Sequence, residues 1–293
     1  MRNKNRELFR KIRLLINMIK VMGRRHFITK YAYFLWVFPF EAVEFLVDLL
    51  LWVFFIQALG GGYTFEEKYH INPIIYLITG IVVARFLNYN IANLYFILKN
   101  LYYSRYSSGL QRLSVADYLY LYDVHIAYWV SSQVIWDYIR ISTISLVYII
   151  AGIILVQTKL VLHAVNIAYA LAAFCLGILA TLGLGLISAS IYLITGVHRG
   201  TEPVQWVIKI LAKIASGVYF PVEVLPEGIQ ILSKIIPHTY TLNVIRKALL
   251  TNSSPIFLLN DLLILLTQTA LLLPLGYFLF KKGLSIQIRK GYL

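Results

Sequence analysis

The sequence predicts an all-α, polytopic membrane protein, and three observations support this fold class. Hydrophobic residues make up 59% of the 293 residues and charged residues only 14%, whereas soluble chains are about 45–50% apolar and about 25% charged. Several apolar stretches reach the roughly 20 residues that a helix needs to cross a bilayer. The single cysteine, Cys175, excludes a disulfide framework and a cysteine-rich metal site. The apolar stretches are predicted to be helices, because an open sheet edge cannot be satisfied in lipid.

Residues 1–30 are predicted to form a cytoplasmic amphipathic helix in the membrane interface. They carry ten Lys and Arg residues, and cations suit the anionic head groups there. The charged part is too long for a cleaved signal peptide. Two sets of residues repeat every three or four positions on opposite faces. The apolar set is Leu8, Ile12, Leu15, Ile19 and Met22, and the polar set is Arg6, Arg10, Arg13, Asn17, Lys20 and Arg24.

Residues 31–293 are predicted to form a single transmembrane domain with six spans. The spans are placed at about 31–59, 74–98, 124–156, 162–194, 204–220 and 257–280. Eighteen Lys and Arg residues outside the spans then fall on one side and five on the other. By the positive-inside rule both termini are cytoplasmic, and we expect the chain to reside in the cell membrane.

The fourth span carries one small residue every four positions. This stripe lets another helix backbone approach closely, either within the subunit or across a dimer. Its members are Ala173, Gly177, Thr181, Gly185 and Ala189.

Residues 221–251, here called the outer hairpin, interrupt the pattern of spans. They hold two short amphipathic pieces, at about 224–236 and 239–250, and neither is long enough to cross a bilayer. Pro226 suits the start of the first piece, where a missing N–H has little effect, and Pro237 ends it. The sequence therefore predicts a re-entrant or interfacial helical hairpin between spans five and six.

The stretch SGVYFPVEVLPEGIQILSKIIPHTYTLNVIRKAL resembles the signature of the ABC-2 type permease family, the membrane subunits of many ABC exporters. Ile236 stands where many members of that family carry Asn. The six-span layout and the basic N-terminal helix extend the resemblance to nearly the whole chain. The matching residues are Gly217, Phe220, Pro221, Leu225, Pro226, Pro237, Thr239, Tyr240 and Arg246.

The resemblance implies a cytoplasmic coupling helix between spans two and three, at about residues 108–120, that docks on a separate ATPase subunit. Ser114 can cap a helix that starts at Val115. Arg112 stands where the family often has an acid, and Val115 where it often has Pro. The alternative is a polar loop that lies on the membrane. The candidate coupling residues are Gly109, Leu110, Arg112, Leu113, Ser114, Asp117 and Tyr118.

Ionisable residues at bilayer depth are a second set of candidates, because they are costly there and usually pair or serve function. They either line a substrate path or form structural ion pairs between helices. Arg85 is favoured as structural, whereas Lys209 and Lys213 are the better candidates for contacting an anionic group. The full set is Glu41, Glu44, Asp48, Arg85, Asp137, Arg140, Lys209 and Lys213.

The function implied by the resemblance is that of an exporter subunit moving a hydrophobic or amphipathic substrate such as a drug, lipid or peptide. Its partners would be two copies of an ATPase subunit, which bind ATP and Mg, and a second permease copy. Export of a polysaccharide or lipid-linked glycan is the alternative within the family, and an ion-coupled secondary carrier is the alternative outside it. The chain lacks GxxxxGK[ST], HExxH and GxSxG motifs, so we expect no catalysis, no metal and no cofactor of its own. Too few polar residues remain for a nucleic-acid-binding face.

Overall fold

The computed structural model describes residues 2–29, 71–102, 106–107, 110–111, 114–156, 163–195, 203–251 and 255–289, with seven single positions between 39 and 67. The helices are α1 (Arg2–Thr29), α2 (Pro73–Tyr102), α3 (Val115–Leu121), α4 (Ile126–Val156), α5 (Ala164–Thr195), α6 (Pro203–Ala215), α7 (Glu227–Ser233), α8 (Pro237–Leu250) and α9 (Pro255–Arg289). A 3₁₀ turn covers Val222–Val224, and the two-residue strands β1 (Tyr106–Ser107) and β2 (Leu110–Gln111) pair antiparallel.

Four helices are long and apolar enough to cross a membrane, so the helical membrane fold class is confirmed at this level. The candidate spans are Pro73–Leu101, Ile126–Ile150, Ala164–Ile191 and Ile256–Ile286, and they match predicted spans two, three, four and six. Most of predicted span one, including Glu41, Glu44 and Asp48, lies outside the described residues. The described positions there that are helical and exposed are Phe40, Val43, Val47, Leu50 and Phe54.

The predicted fifth span ends earlier than expected. Helix α6 has 13 residues, or about 20 Å, which is shorter than the roughly 30 Å bilayer core. Residues 216–220 are not helical, although the apolar sequence continues to Phe220. Gly217 has a φ of 78°, and a glycine in the left-handed region commonly ends a helix. The prediction that this span runs to Phe220 is therefore wrong.

The chain divides into two compact units. The first comprises Met1–Asp48 and Ile97–Val147. Within it, a Cβ atom at Gly23 of α1 would lie 3.2 Å from the ring of Trp136 on α4, so these two helices are in contact. The basic side chains Arg10, Arg13 and Lys20 are exposed along α1, as the predicted amphipathic helix requires.

The second unit comprises Leu49–Phe96 and Tyr148–Leu293. Its apolar core joins α2, α5, α8 and α9, with Leu87, Leu242 and Leu265 fully buried. The small-residue stripe of α5 is buried as predicted. It packs within the subunit, where Asn90 Nδ2 of α2 donates to Thr181 Oγ1 at 3.1 Å.

Candidate functional site

The outer hairpin folds into two short helices, as the sequence predicts, with shifted ends. Pro226 is the N-cap of α7, which ends at Ser233, and Pro237 is the first residue of α8. Proline suits this first position because its fixed φ fits a helix and its missing N–H has no intrahelical partner. Helix α8 is the buried arm of the hairpin, whereas Val224, Ile231 and Ile235 are exposed.

Arg246 on α8 is buried and holds the hairpin to two distant parts of the chain. Its Nη1 donates to the carbonyl oxygen of Gly217 at 2.6 Å, and its Nη2 donates to those of Tyr76 at 2.7 Å and Val218 at 3.1 Å. Its Nε donates to Thr79 Oγ1 at 3.3 Å. One side chain therefore connects α8 to the first two turns of α2 and to the chain that follows α6.

The Arg246 contacts require a special backbone at two glycines. Gly217 takes a positive φ, which costs about 1 kcal/mol or more for a residue with a Cβ atom, and its carbonyl also accepts a hydrogen bond from Tyr76 Oη at 2.9 Å. At Gly80, a Cβ atom would collide with the Val218 carbonyl oxygen and with Arg246 Nη2. Larger residues at either position would separate the chain after α6 from α2.

The Arg246 cation is held by neutral groups. The four contacts above all end on carbonyl or hydroxyl oxygen atoms, and the guanidinium carbon lies 3.4 Å from the centroid of the Tyr76 ring. Helix α8 is not one of the four spans, and burial lowers the pKa of Arg246 to about 10. The side chain therefore remains a cation at neutral pH.

His238 is the second buried ionisable group of α8. Its Nε2 lies 3.2 Å from Asn88 Oδ1 on α2. Burial lowers the pKa of His238 to about 4, so the ring is neutral at pH 7. Because the Asn88 oxygen accepts, Nε2 carries the ring proton and Nδ1 is left as an acceptor.

Three buried polar atoms close to the junction of α7 and α8 have no hydrogen-bond partner within the part of the chain that the structure describes. They are His238 Nδ1, Thr239 Oγ1 and Gln268 Oε1. The amide nitrogen of Gln268, on α9, donates to the carbonyl oxygens of Lys234 at 3.0 Å and Ile235 at 3.4 Å. This places Gln268 beside the turn that joins the two hairpin helices.

The far end of α8 carries a more exposed ion pair. Lys247 Nζ lies 2.8 Å from Asp261 Oδ2 at the start of α9. Partial burial and then the Asp261 charge raise the pKa of Tyr240. Of the other predicted hairpin residues, Phe220 is half-buried and Pro221 is buried.

The predicted coupling segment forms a shorter helix than expected. The Ser114 cap is confirmed: Asp117 N donates to Ser114 Oγ at 3.1 Å, and Ser114 N donates to Asp117 Oδ2 at 2.6 Å. The helix therefore begins at Val115, and its predicted start near residue 108 is wrong, because Leu110 lies in β2. Gly109, Arg112 and Leu113 lie outside the described residues.

Helix α3 presents aromatic side chains to its surroundings. The exposed residues at its C-terminal end are Tyr118, Tyr120, Leu121 and Tyr122, and Leu119 is buried. A short capped helix with exposed apolar and aromatic groups is suited to contact a protein partner or the membrane interface.

The intramembrane charges that the structure describes have local partners. Arg85 Nη1 donates to Tyr148 Oη at 2.5 Å, and Asp137 forms an i,i+3 ion pair with Arg140 at 3.7 Å. These contacts fit the structural interpretation of these three residues. Lys213 is exposed in the last turn of α6, and the side chain of Lys209 lies outside the described part.

The sequence did not single out Tyr76, Gly80, Asn88 or Gln268, which complete the hairpin site. No protein-family model matches the sequence, and no curated protein matches it at a significant level. The resemblance to the ABC-2 type permeases therefore stays a prediction.

Proposed function

We propose that this chain is the transmembrane permease subunit of an ATP-driven exporter of the ABC-2 type, moving a hydrophobic or amphipathic substrate. The observation that carries the proposal is that the residues of the resemblance are those that build the outer hairpin. Gly217 turns the chain after α6, Pro226 and Pro237 start the two helices, and Arg246 binds the hairpin to α2. A motif that coincides with a buried architectural site is less easily produced by chance.

The proposal places the hairpin as a re-entrant element. Gln268, which contacts the α7–α8 turn, lies seven residues or about 10 Å inward of Asp261 along α9 and about 20 Å from Lys281. His238 contacts Asn88, near the middle of α2, whereas Arg246 contacts Tyr76 at its beginning. Helix α8 thus runs from mid-depth of these helices toward their ends, and the membrane core is about 30 Å thick. These contacts support a hairpin that enters the outer half of the bilayer and returns.

The proposal assigns α3 and the residues before it to ATPase docking, with both termini cytoplasmic. Its support is the capping box at Ser114 and the exposed apolar surface of Tyr118 and Leu121. Nucleotide binding shifts the transporter between states only if the ATPase binds one state better than the other. In this scheme ATP and Mg belong to the partner chain, and two permease copies form the path.

The decisive experiment is affinity purification of the tagged chain from its native membranes in mild detergent. We expect an ATP-binding chain to co-purify in equal amount and to show ATPase activity. Isolation of a chain without an ATPase would refute the proposal, and transport under a proton gradient would then test the ion-coupled carrier.

A double substitution tests the docking segment in the purified complex. Changing Leu110 and Leu113 to Asp should remove substrate-stimulated ATPase activity, because charged groups do not enter an apolar cleft. Glu227→Lys, an exposed charge change in the outer hairpin, is the matched control and should retain stimulation. Full stimulation in the double variant would contradict the assignment of this segment.

A further inference from the structure

The turn that joins α7 to α8, together with Gln268, is here called the hairpin tip and comprises residues 234–239 and Gln268. Three of its side-chain atoms, on His238, Thr239 and Gln268, are buried without a hydrogen-bond partner in the described part of the chain. A buried polar group without a partner costs about 1–3 kcal/mol. Several such atoms in one turn indicate that something polar occupies the tip in the working protein.

The chemistry of the three atoms defines what they bind. Gln268 Oε1 is an acceptor, because the amide nitrogen of the same side chain donates to Lys234 and Ile235. His238 Nδ1 is also an acceptor when Nε2 donates to Asn88. The Thr239 hydroxyl both donates and accepts. The ligand must therefore supply hydrogen-bond donors.

The tip also offers donors. Helix α8 begins here without a side-chain cap, and the first N–H groups of a helix lack intrahelical partners. Side chains at these positions lean toward the helix N-terminus, so His238 and Thr239 lie beside those groups. Lys234 is exposed and makes no ion pair with the described residues. An exposed lysine at bilayer depth is expected to face a polar path or ligand.

We propose that the hairpin tip binds a hydroxyl-bearing head group of an amphipathic substrate. Each hydroxyl both donates and accepts, which matches the acceptors Gln268 and His238, the two-way Thr239 and the donor Lys234. A carboxylate or phosphate has no proton to donate and would be repelled by the two acceptors. A quaternary ammonium group would satisfy neither set.

This inference rests on the proposed transport function, whose substrate class it narrows. It is tested on the full-length chain in phosphatidylcholine nanodiscs, whose lipid head groups carry no hydroxyl. Binding of radiolabelled dodecyl maltoside is compared with that of octaethylene glycol dodecyl ether, below the critical micelle concentration of each. The two probes share an alkyl chain, but only the maltoside head group is rich in hydroxyl donors. Empty nanodiscs correct for partition into lipid.

We expect saturable binding of the maltoside and only partition of the glycol ether. Thr239→Val, which removes one hydroxyl from a nearly unchanged shape, should weaken maltoside binding about fivefold to tenfold. Lys234→Met should weaken it as well. Thr267→Val is the matched control, because the Thr267 side chain is exposed on α9 and donates to the Ile264 carbonyl of its own helix. This control should bind like the unchanged protein.

Three results would overturn the proposal: no saturable maltoside binding, equal saturable binding of both probes, or unchanged affinity in Thr239→Val. Each would mean that the tip holds water only. Because no ATPase is present in this assay, its outcome is independent of the purification experiment. Maltoside binding without a co-purifying ATPase would leave the tip assignment standing while refuting the exporter, and the reverse result would do the opposite.

Discussion

Replacing Arg246 with methionine removes the guanidinium while it keeps an unbranched side chain of similar reach. The perturbation does not affect all partners equally. The Gly217 carbonyl keeps the Tyr76 hydroxyl as a donor at 2.9 Å, and the Tyr76 carbonyl lies within a regular helix. The Val218 carbonyl loses its donor among the described residues, which costs about 1–3 kcal/mol.

Two further terms have opposite signs. Hydrogen bonds from a charged donor contribute about 1.5–3 kcal/mol each before desolvation, and Arg246 makes three of them to carbonyls. Removing a buried charge returns part of that loss, because its desolvation penalty disappears. We expect a net destabilisation of about 2–3 kcal/mol, or about 30- to 150-fold in the unfolding equilibrium.

Lys247→Met is the matched control for this prediction. The neighbouring side chain has the same charge, but it is 42% exposed and its ion pair with Asp261 is solvent-accessible. Exposed pairs contribute up to about 1 kcal/mol. Unfolding of both variants by SDS titration in mixed micelles provides the measurement. If Arg246→Met were as stable as Lys247→Met, the role of Arg246 in holding the hairpin would be refuted; a gain in stability would mean that desolvation outweighs the contacts.

Three further predictions follow from the same geometry. Gly217→Ala should destabilise the protein by about 1–2 kcal/mol, because of the positive φ, and the same SDS titration would detect it. Since the pKa of His238 falls to about 4 in the fold, its contribution to stability is complete above pH 6.5 and should decline by about 3 kcal/mol as the pH falls to 4; thermal unfolding across this range should show the decline, and His238→Asn should flatten it. Ser114→Ala should cost about 1 kcal/mol through the lost cap and lower substrate-stimulated ATPase activity in the purified complex, whereas an unchanged rate would detach α3 from coupling.

Local signals in the sequence were sufficient for most of the helices. Hydropathy located α2, α4, α5 and α9, because a span is a long apolar run with charged ends. The cap at Ser114 was also predictable, because a hydroxyl residue before an apolar stretch with an acid three residues later has a direct physical meaning. The prolines at 226 and 237 marked the starts of α7 and α8 within a few residues.

Hydropathy did not show where α6 ends, because the apolar run continues through Val218 and Phe220. The deciding feature is the backbone of Gly217, whose carbonyl is held by Arg246 from 29 residues away. The partners of Arg246 on α2 are about 170 residues distant. A single sequence contains no signal for such pairings, so Tyr76 and Gly80 were missed. The early start predicted for α3 came from the resemblance, whereas the structure has β2 at Leu110.

The two ends of α8 differ in how firmly they are held, and this difference bears on how the hairpin works. The Arg246 end is held by three short hydrogen bonds to carbonyls and by the Tyr76 ring. The tip is held by the Gln268 amide and by His238, and it carries three unsatisfied polar atoms. Regions with fewer satisfied contacts open at lower free energy than the rest of a fold. If the hairpin opens to admit a substrate, the tip therefore separates first while the Arg246 end acts as the fixed point, and hydrogen exchange should be faster at residues 234–239 than at residues 244–248.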